Sequence, residues 1–204
     1  MKHILNSLIL FTAIVMFAIS MPQEESIIVD SEMTFEEAIK GTKAPKEVID
    51  NLALIDVMYY SFDGKLHKGQ LLLHKEVESE IKEIFSIILK EKFPVNKAIP
   101  IVKYNWSDEA SMEDNNSSAF NYRTIAGTNR MSNHAYGRAV DINPVNNPYV
   151  NSEGRESPSN GKYRPDKPGT FSDSSIIVKE FKKRGWRWGG NFNSYKDYHH
   201  FDKQ

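Results

Sequence analysis

The chain has 204 residues, no cysteine and a formal net charge of −1 at pH 7. Its acidic and basic residues are interspersed, so no basic surface is available for nucleic acid or for an acidic membrane. Because disulfides are excluded, stability must come from a hydrophobic core or from a bound metal.

The N terminus has the pattern of a secretory signal peptide, which we place at residues 1–20. Lys2 gives a basic start, residues 8–19 are apolar, and Ala18 and Ser20 are small residues suited to cleavage before Met21. The alternative is an uncleaved membrane anchor, since the apolar run approaches the length that spans a bilayer. In both cases we expect an exported protein, in the periplasm or cell envelope, with the membrane as a partner only if the signal is retained.

The next segments predict a linker at residues 21–33 and a single domain at residues 34–204, a size that suits one hydrophobic core. Thr34 followed by Glu37 is a capping-box pattern and predicts a short helix. After it come two β-rich runs, residues 54–60 and 70–74. An Asp-Gly pair lies between these runs, which favours an antiparallel hairpin.

Helical periodicity follows the hairpin: apolar side chains recur at helical spacing over residues 75–92, which predicts an amphipathic helix packed on the core. Residues 99–104 predict a strand, and residues 106–118 a loop or loose helix. Two further short strands are predicted at residues 119–123 and 140–143.

The last third of the chain begins with residues 151–170, which are almost devoid of apolar side chains and predict a long surface loop that could border a substrate groove. A final helix is predicted from Asp173 to Arg184, with Gly185 just beyond its C-terminal end. The whole pattern favours an α+β fold in which a small antiparallel sheet carries the functional site and helices pack against it.

Two short motifs contain the residues for a metal site. His134 and Asp141 are seven residues apart, on one face of a helix or, because Gly137 lies between them, on a turn that feeds a strand. Imidazole and carboxylate are both good zinc ligands. Asp197 and His200 are three residues apart and would point to one side if the turn between them were helical. His199 competes with His200 as a ligand, and spacing alone does not choose between them.

The ordered motifs resemble the M15 family of zinc metallopeptidases. The resemblance covers about residues 119–201 and rests on Tyr-Arg at 122–123, Ser-x-His-x-x-Gly-x-Ala-x-Asp at 132–141, Asp-Ile-Asn-Pro at 141–144, Asn-Pro-Tyr at 147–149, Gly-Trp-x-Trp-Gly-Gly at 185–190 and Asp-x-x-His-Phe at 197–201. It implies a hedgehog/DD-peptidase-like fold. It also implies Zn²⁺ bound by His134, Asp141 and His200, with Asp197 as the general base and His199 not a ligand. Many family members have Glu in place of Asp197, and Asp is typical of the endolysin-like members.

The resemblance also suggests roles for two further residues. Arg123 would stabilise the developing oxyanion or bind a substrate carboxylate, although an ion pair with a surface carboxylate is the alternative. Ser132 would hydrogen-bond the substrate or a metal ligand.

The implied function is hydrolysis of an amide in peptidoglycan stem peptides by a monomeric, exported enzyme. We favour a D-alanyl-D-alanine carboxypeptidase slightly over an L-alanyl-D-glutamate endopeptidase of the same family. A third alternative is a non-catalytic zinc-binding cell-wall module, as hedgehog domains illustrate. It is disfavoured because a structural zinc would take four protein ligands and would not need Asp197.

Overall fold

The structure is a computed structural model that describes residues 26–204. The predicted signal peptide therefore lies outside the described residues. Within residues 26–204, no helix has both the length and the apolar character needed to cross a bilayer.

The N-terminal part of the fold is built on a long hairpin. Its elements are β1 (Ile28–Val29), α1 (Phe35–Ala38), α2 (Lys46–Ile49), β2 (Leu52–Tyr60) and β3 (Leu66–His74). Strands β2 and β3 pair antiparallel along their whole length, and β1 adds to the outer edge of β3 in parallel. The predicted hairpin is confirmed and is longer than expected, with the Asp-Gly pair in its turn.

The segment before the hairpin is only partly as predicted. The capping box is confirmed, since the Thr34 hydroxyl accepts from the Glu37 amide and the Glu37 carboxylate accepts from the Thr34 amide. The described part of the predicted linker, however, includes β1. Ser31 just after it is buried and donates to the side chain of Gln70. The sheet thus extends into the region assigned to the linker because β3 offers it an open edge.

Helix α3 (Glu78–Lys90) follows a short 3₁₀ turn at Lys75–Val77 and confirms the amphipathic helix. Its apolar stripe is buried against β2 and the rest of the main core, and the buried residues are Ile81, Ile84, Phe85 and Ile88. Charged side chains occupy the opposite face, as the periodicity predicted.

The middle of the chain is less regular than predicted. It contains β4 (Lys97–Ala98), a 3₁₀ helix at Ile101–Tyr104, α4 (Asp108–Glu113) and β5 (Asn116–Ser117). The strand predicted at residues 99–104 is wrong, because the chain turns after Pro100 and ends the turn at Asn105 in a left-handed conformation. The strand predicted at residues 119–123 is also absent from the described structure. Its amides bond to different partners, such as Leu72 and His134, and so form no ladder.

The C-terminal part consists of short strands around one helix. The elements are β6 (Ala139–Asp141), β7 (Tyr149–Val150), β8 (Glu156–Ser157), α5 (Ile176–Lys183), β9 (Arg187–Trp188), β10 (Lys196–Asp197) and β11 (His200–Asp202). They form two three-stranded antiparallel sheets, β6-β11-β9 and β10-β7-β8. Helix α5 begins later than predicted, and Gly185 follows its end at φ +82°, where a side chain would be strained.

One core joins these parts. Phe181 of α5 stacks on Phe201 of β11 at 3.9 Å between ring centroids, and α5 also packs against α3. The fold of residues 26–204 is therefore α+β, as the sequence predicted, and its strands are divided among four small sheets.

Candidate metal centre

The β6-β11-β9 sheet places two of the predicted ligands side by side. Asp141 at the end of β6 is the cross-strand partner of His200 at the start of β11. Residues of a strand alternate between its two faces, so His200 and Asp202 share one face while Phe201 between them enters the core. The same alternation buries Val140 in the core next to Asp141.

His134 reaches this position from a 3₁₀ helix at Asn133–Tyr136 that immediately precedes β6. Ser132 caps this helix, because its Oγ accepts a hydrogen bond from the His134 amide at 3.2 Å. Gly137 ends the helix at φ +66°, and a Cβ there would lie 2.5 Å from the His74 amide nitrogen. A turn feeding a strand, rather than a continuous helix, thus brings His134 and Asp141 together.

The three predicted ligands converge on one point, with candidate ligand atoms all within 4.8 Å of one another. His134 Nε2 lies 3.1 Å from His200 Nδ1 and 3.1 Å from Asp141 Oδ2, and His200 Nδ1 lies 2.9 Å from Asp141 Oδ1. All three side chains are buried or nearly so.

This donor set fits a divalent cation such as zinc. The His134 Nδ1 lies 2.5 Å from the Ala119 carbonyl, which can only accept, so Nδ1 is a donor and Nε2 is the ring nitrogen left for a metal ion. Two imidazole nitrogens and a carboxylate this close together need positive charge among them, as protons or as a metal ion. Three nitrogen and oxygen ligands also leave a fourth position for water, as in catalytic zinc sites.

The electrostatics of the cluster favour a cation. Burial would raise the pKa of Asp141, but the charges of His134 and His199 and the hydrogen bonds from His134 and His200 hold that pKa well below its usual value. Burial would lower the pKa of His200, but hydrogen bonds to Asp141 and Asp202 raise that pKa well above its usual value. A proton on His200, or a metal ion in its place, would balance these carboxylates.

A further carboxylate supports His200 and was missed in the sequence. Asp202 Oδ2 lies 3.5 Å from His200 Nε2, the ring nitrogen that faces away from the other ligands. Asp202 is itself held by Asn133 at 2.7 Å and by both the Nε and a terminal nitrogen of Arg187. A carboxylate behind a metal-binding imidazole fixes the ring's orientation. Alternation along a strand, applied to the His-Phe-Asp sequence, is the signal that could have found it.

Asp197 lies beside the cluster in a different sheet. It belongs to β10, where its backbone pairs with Tyr149, and a turn at residues 198–199 joins it to His200 at the start of β11. Its Oδ1 lies 2.9 Å from His199 Nε2. Its negative charge is the smallest of the causes that raise the pKa of His200.

His199 contacts Asp197 more closely than it contacts the candidate ligand atoms. Its Nδ1 lies 2.8 Å from the Asn147 carbonyl, and its Nε2 points to Asp197 and is 3.9 Å from the nearer Asp141 oxygen. Burial would lower the pKa of His199, but the charges of Asp197 and Asp141 raise it to about 9.

The backbone of Arg123 contacts Ser132, and its side chain forms an ion pair with Asp108. The Arg123 carbonyl accepts from the Ser132 amide at 3.1 Å. The guanidinium makes a 2.8 Å ion pair with Asp108, the kind of contact that was the alternative for this residue, while the buried Nε of Arg123 has no hydrogen-bond partner within residues 26–204. An oxyanion-binding role thus remains a prediction.

Comparison with known proteins supports a relation between this chain and the M15 peptidases. A protein-family model described as D-alanyl-D-alanine carboxypeptidase, from the M15 peptidases, matches residues 126–203. This span is less than half of the chain, and it includes His134, Asp141, Asp197 and His200 but not Arg123. The comparisons with curated proteins and with solved structures found no match. A peptidase with a candidate His-Asp-His metal site is the class of protein that these findings support.

Proposed function

We propose that this chain is an exported, zinc-dependent peptidase that hydrolyses an amide bond in the stem peptides of peptidoglycan, as a D-alanyl-D-alanine carboxypeptidase. The observation that carries the proposal is the convergence of His134, Asp141 and His200 inside the stretch that matches the carboxypeptidase family model. Asp197 lies next to this cluster and supplies the carboxylate that peptide hydrolysis needs in addition to the ligands.

The chain's own residues divide the reaction between them. His134, Asp141 and His200 would hold the zinc ion, which when bound acidifies water and polarises a substrate carbonyl. Asp197 accepts a proton from the attacking water and later delivers it to the nitrogen of the leaving amine, so the carboxylate is regenerated. Asp202 keeps the ring of His200 oriented throughout.

A cavity of about 270 Å³ lies on the Asp202 side of His200. It borders Asp202 and Asn133 and is lined by Arg130, Arg187 and Tyr195, among others, but by none of the candidate metal ligands. A substrate that extended from the centre into this cavity would place a free carboxylate near two arginines, which suits removal of a terminal residue better than cleavage within the stem. Arg123 could contribute to the same task only by sharing or leaving Asp108.

The test is digestion of purified muropeptides by the zinc-loaded protein, with products identified by mass spectrometry. Loss of a single alanine from pentapeptides is the expected result. Release of a larger stem fragment would instead identify an L-alanyl-D-glutamate endopeptidase. No product from any muropeptide, with zinc bound stoichiometrically, would contradict both and favour a non-catalytic wall-binding module.

Two variants check the assignment of the base. Asp197→Asn preserves size but removes the proton acceptor, so we expect kcat to fall by roughly 10²–10⁴-fold with zinc content unchanged. Asp166→Asn, at an exposed carboxylate outside the site, is the matched control and should behave as wild type. Full activity of Asp197→Asn would remove Asp197 from the mechanism.

A further inference from the structure

His199 is the one polar contact of a buried carboxylate oxygen. The Oδ1 of Asp197 is shielded from solvent and forms no regular hydrogen bond within residues 26–204, yet His199 Nε2 lies 2.9 Å from it. The pair is therefore in contact without ideal alignment. A buried carboxylate oxygen without a donor is costly, so this neighbour is expected to control where the carboxylate points.

The imidazole of His199 is held from its other side. Its Nδ1 donates to the carbonyl of Asn147 at 2.8 Å, which orients Nε2 toward Asp197, and a charged imidazole ring donates from both nitrogens. Asn147 is fully buried, and its side-chain amide donates to backbone carbonyls of Ile142, Asn143 and Gly169. The ring therefore rests on a well-anchored support rather than on a mobile loop.

The backbone of Asp197 is equally constrained. It pairs with Tyr149 across two strands, and it packs so closely on Gly189 that a Cβ at that glycine would lie 2.7 Å from the Asp197 Cβ. Because the backbone and Cβ are fixed, only the rotation of the carboxylate remains to be set. His199 is in contact with one of its two oxygens.

We propose that His199 is a positioning residue that holds Oδ1 of Asp197 and thereby leaves Oδ2 as the oxygen that exchanges the proton in catalysis. This inference rests on the proposed role of Asp197 as the general base. It assigns the histidine next to His200 to the base rather than to the metal, and it explains why two adjacent histidines are both buried without both being ligands. Misplacing a catalytic group by about 1 Å can cost on the order of 100-fold in rate.

Two substitutions separate positioning from packing. The side-chain amide of His199→Gln can place an N–H near the original Nε2 and so reach Asp197. The shorter His199→Asn can replace only the Nδ1 contact with Asn147. We expect His199→Gln to keep kcat within about tenfold of wild type and His199→Asn to lose about 100-fold, with KM and zinc content little changed in either. Equal kcat values in the two variants would overturn the proposal.

A double-mutant cycle with Asp197 and crystal structures of the variants complete the test. In the Asp197→Asn background, His199→Asn should cause no further loss of kcat, since it acts through Asp197; a full additional loss would overturn the proposal. Crystal structures of the variants should show the Asp197 carboxylate unmoved in His199→Gln and rotated in His199→Asn. A carboxylate that is unmoved in both variants would contradict the proposal. This structural result does not depend on activity, so a wild type that cleaves no muropeptide would contradict the proposed function but not the positioning role.

Discussion

The hairpin region, residues 52–90, and the site region, residues 132–202, are held together in different ways. The hairpin region has two nine-residue strands in continuous register and a helix whose apolar stripe is fully buried on them. The strands of the site region have two or three residues each, and buried side chains such as Asn143 and Asn147 supply many of the backbone's hydrogen bonds. Apolar burial thus stabilises the first region, whereas specific polar contacts define the geometry of the second.

This difference predicts that substitutions in the site region reduce zinc binding and activity, whereas substitutions in the hairpin region reduce stability. The largest effect is expected at a ligand. His134→Ala should lose bound zinc and at least ~100-fold of activity, because even outer contacts of metal ligands are worth 10–100-fold. Equilibrium dialysis followed by metal analysis measures the bound zinc, and muropeptide digestion measures the activity.

His74→Ala is the matched control for His134→Ala. His74 ends β3 outside the cluster, where its ring accepts from the Glu76 amide, so zinc binding should be unchanged. Equal zinc content in His134→Ala and wild type would remove His134 from the set of ligands.

A substitution in the hairpin region should instead lower stability and leave zinc binding unchanged. Ile84→Ala removes a completely buried side chain from α3 and should lower the free energy of unfolding by about 2–5 kcal/mol. Zinc stoichiometry should stay at the wild-type value wherever the protein is still folded. Urea unfolding of the metal-free protein measures the loss, and the partly buried Ile87→Ala should lose less. A loss of zinc affinity in folded Ile84→Ala would show that the two regions are not separable.

The two regions also differ in how much of them the sequence predicted. In the hairpin region, β-rich runs and helical periodicity extend over many residues and an Asp-Gly pair marks the turn; each of these predictions is confirmed. At Ile101–Tyr104, β-branched residues suggested a strand, but tertiary contacts bury Ile101 in a 3₁₀ turn instead.

The sequence predicted which residues form the candidate site, but it did not predict how the strands arrange them. The resemblance to the M15 family selected His134, Asp141, His200 and Asp197, where spacing alone left His199 open as a ligand, and the structure brings the first three together. The contacts of Asp202 with Asn133 and of His199 with Asn147 join residues more than 50 positions apart in the chain, and local spacing carries no information on such pairs. The ion pair of Arg123 with Asp108 also depends on tertiary structure.

The last predicted effect concerns protons rather than side chains. In the metal-free protein, the pKa of His199 is raised to about 9 and that of His200 is also raised, so between pH 6.5 and 9 the folded state binds more protons than the unfolded state. Stability from these groups is then complete below their unfolded pKa and is lost as the pH rises, by about 1 kcal/mol per pH unit for each proton.

Urea unfolding in a chelating buffer from pH 6.5 to 9 measures this loss, and His199→Asn should reduce the slope. Zinc should reduce it too, because the metal ion replaces the proton on His200 and the folded state no longer needs one there. A free energy of unfolding that stays level or rises with pH in the metal-free protein would show that the carboxylates of the site region are not balanced by protonated histidines. The case that this cluster is built for a cation would then rest on its distances alone.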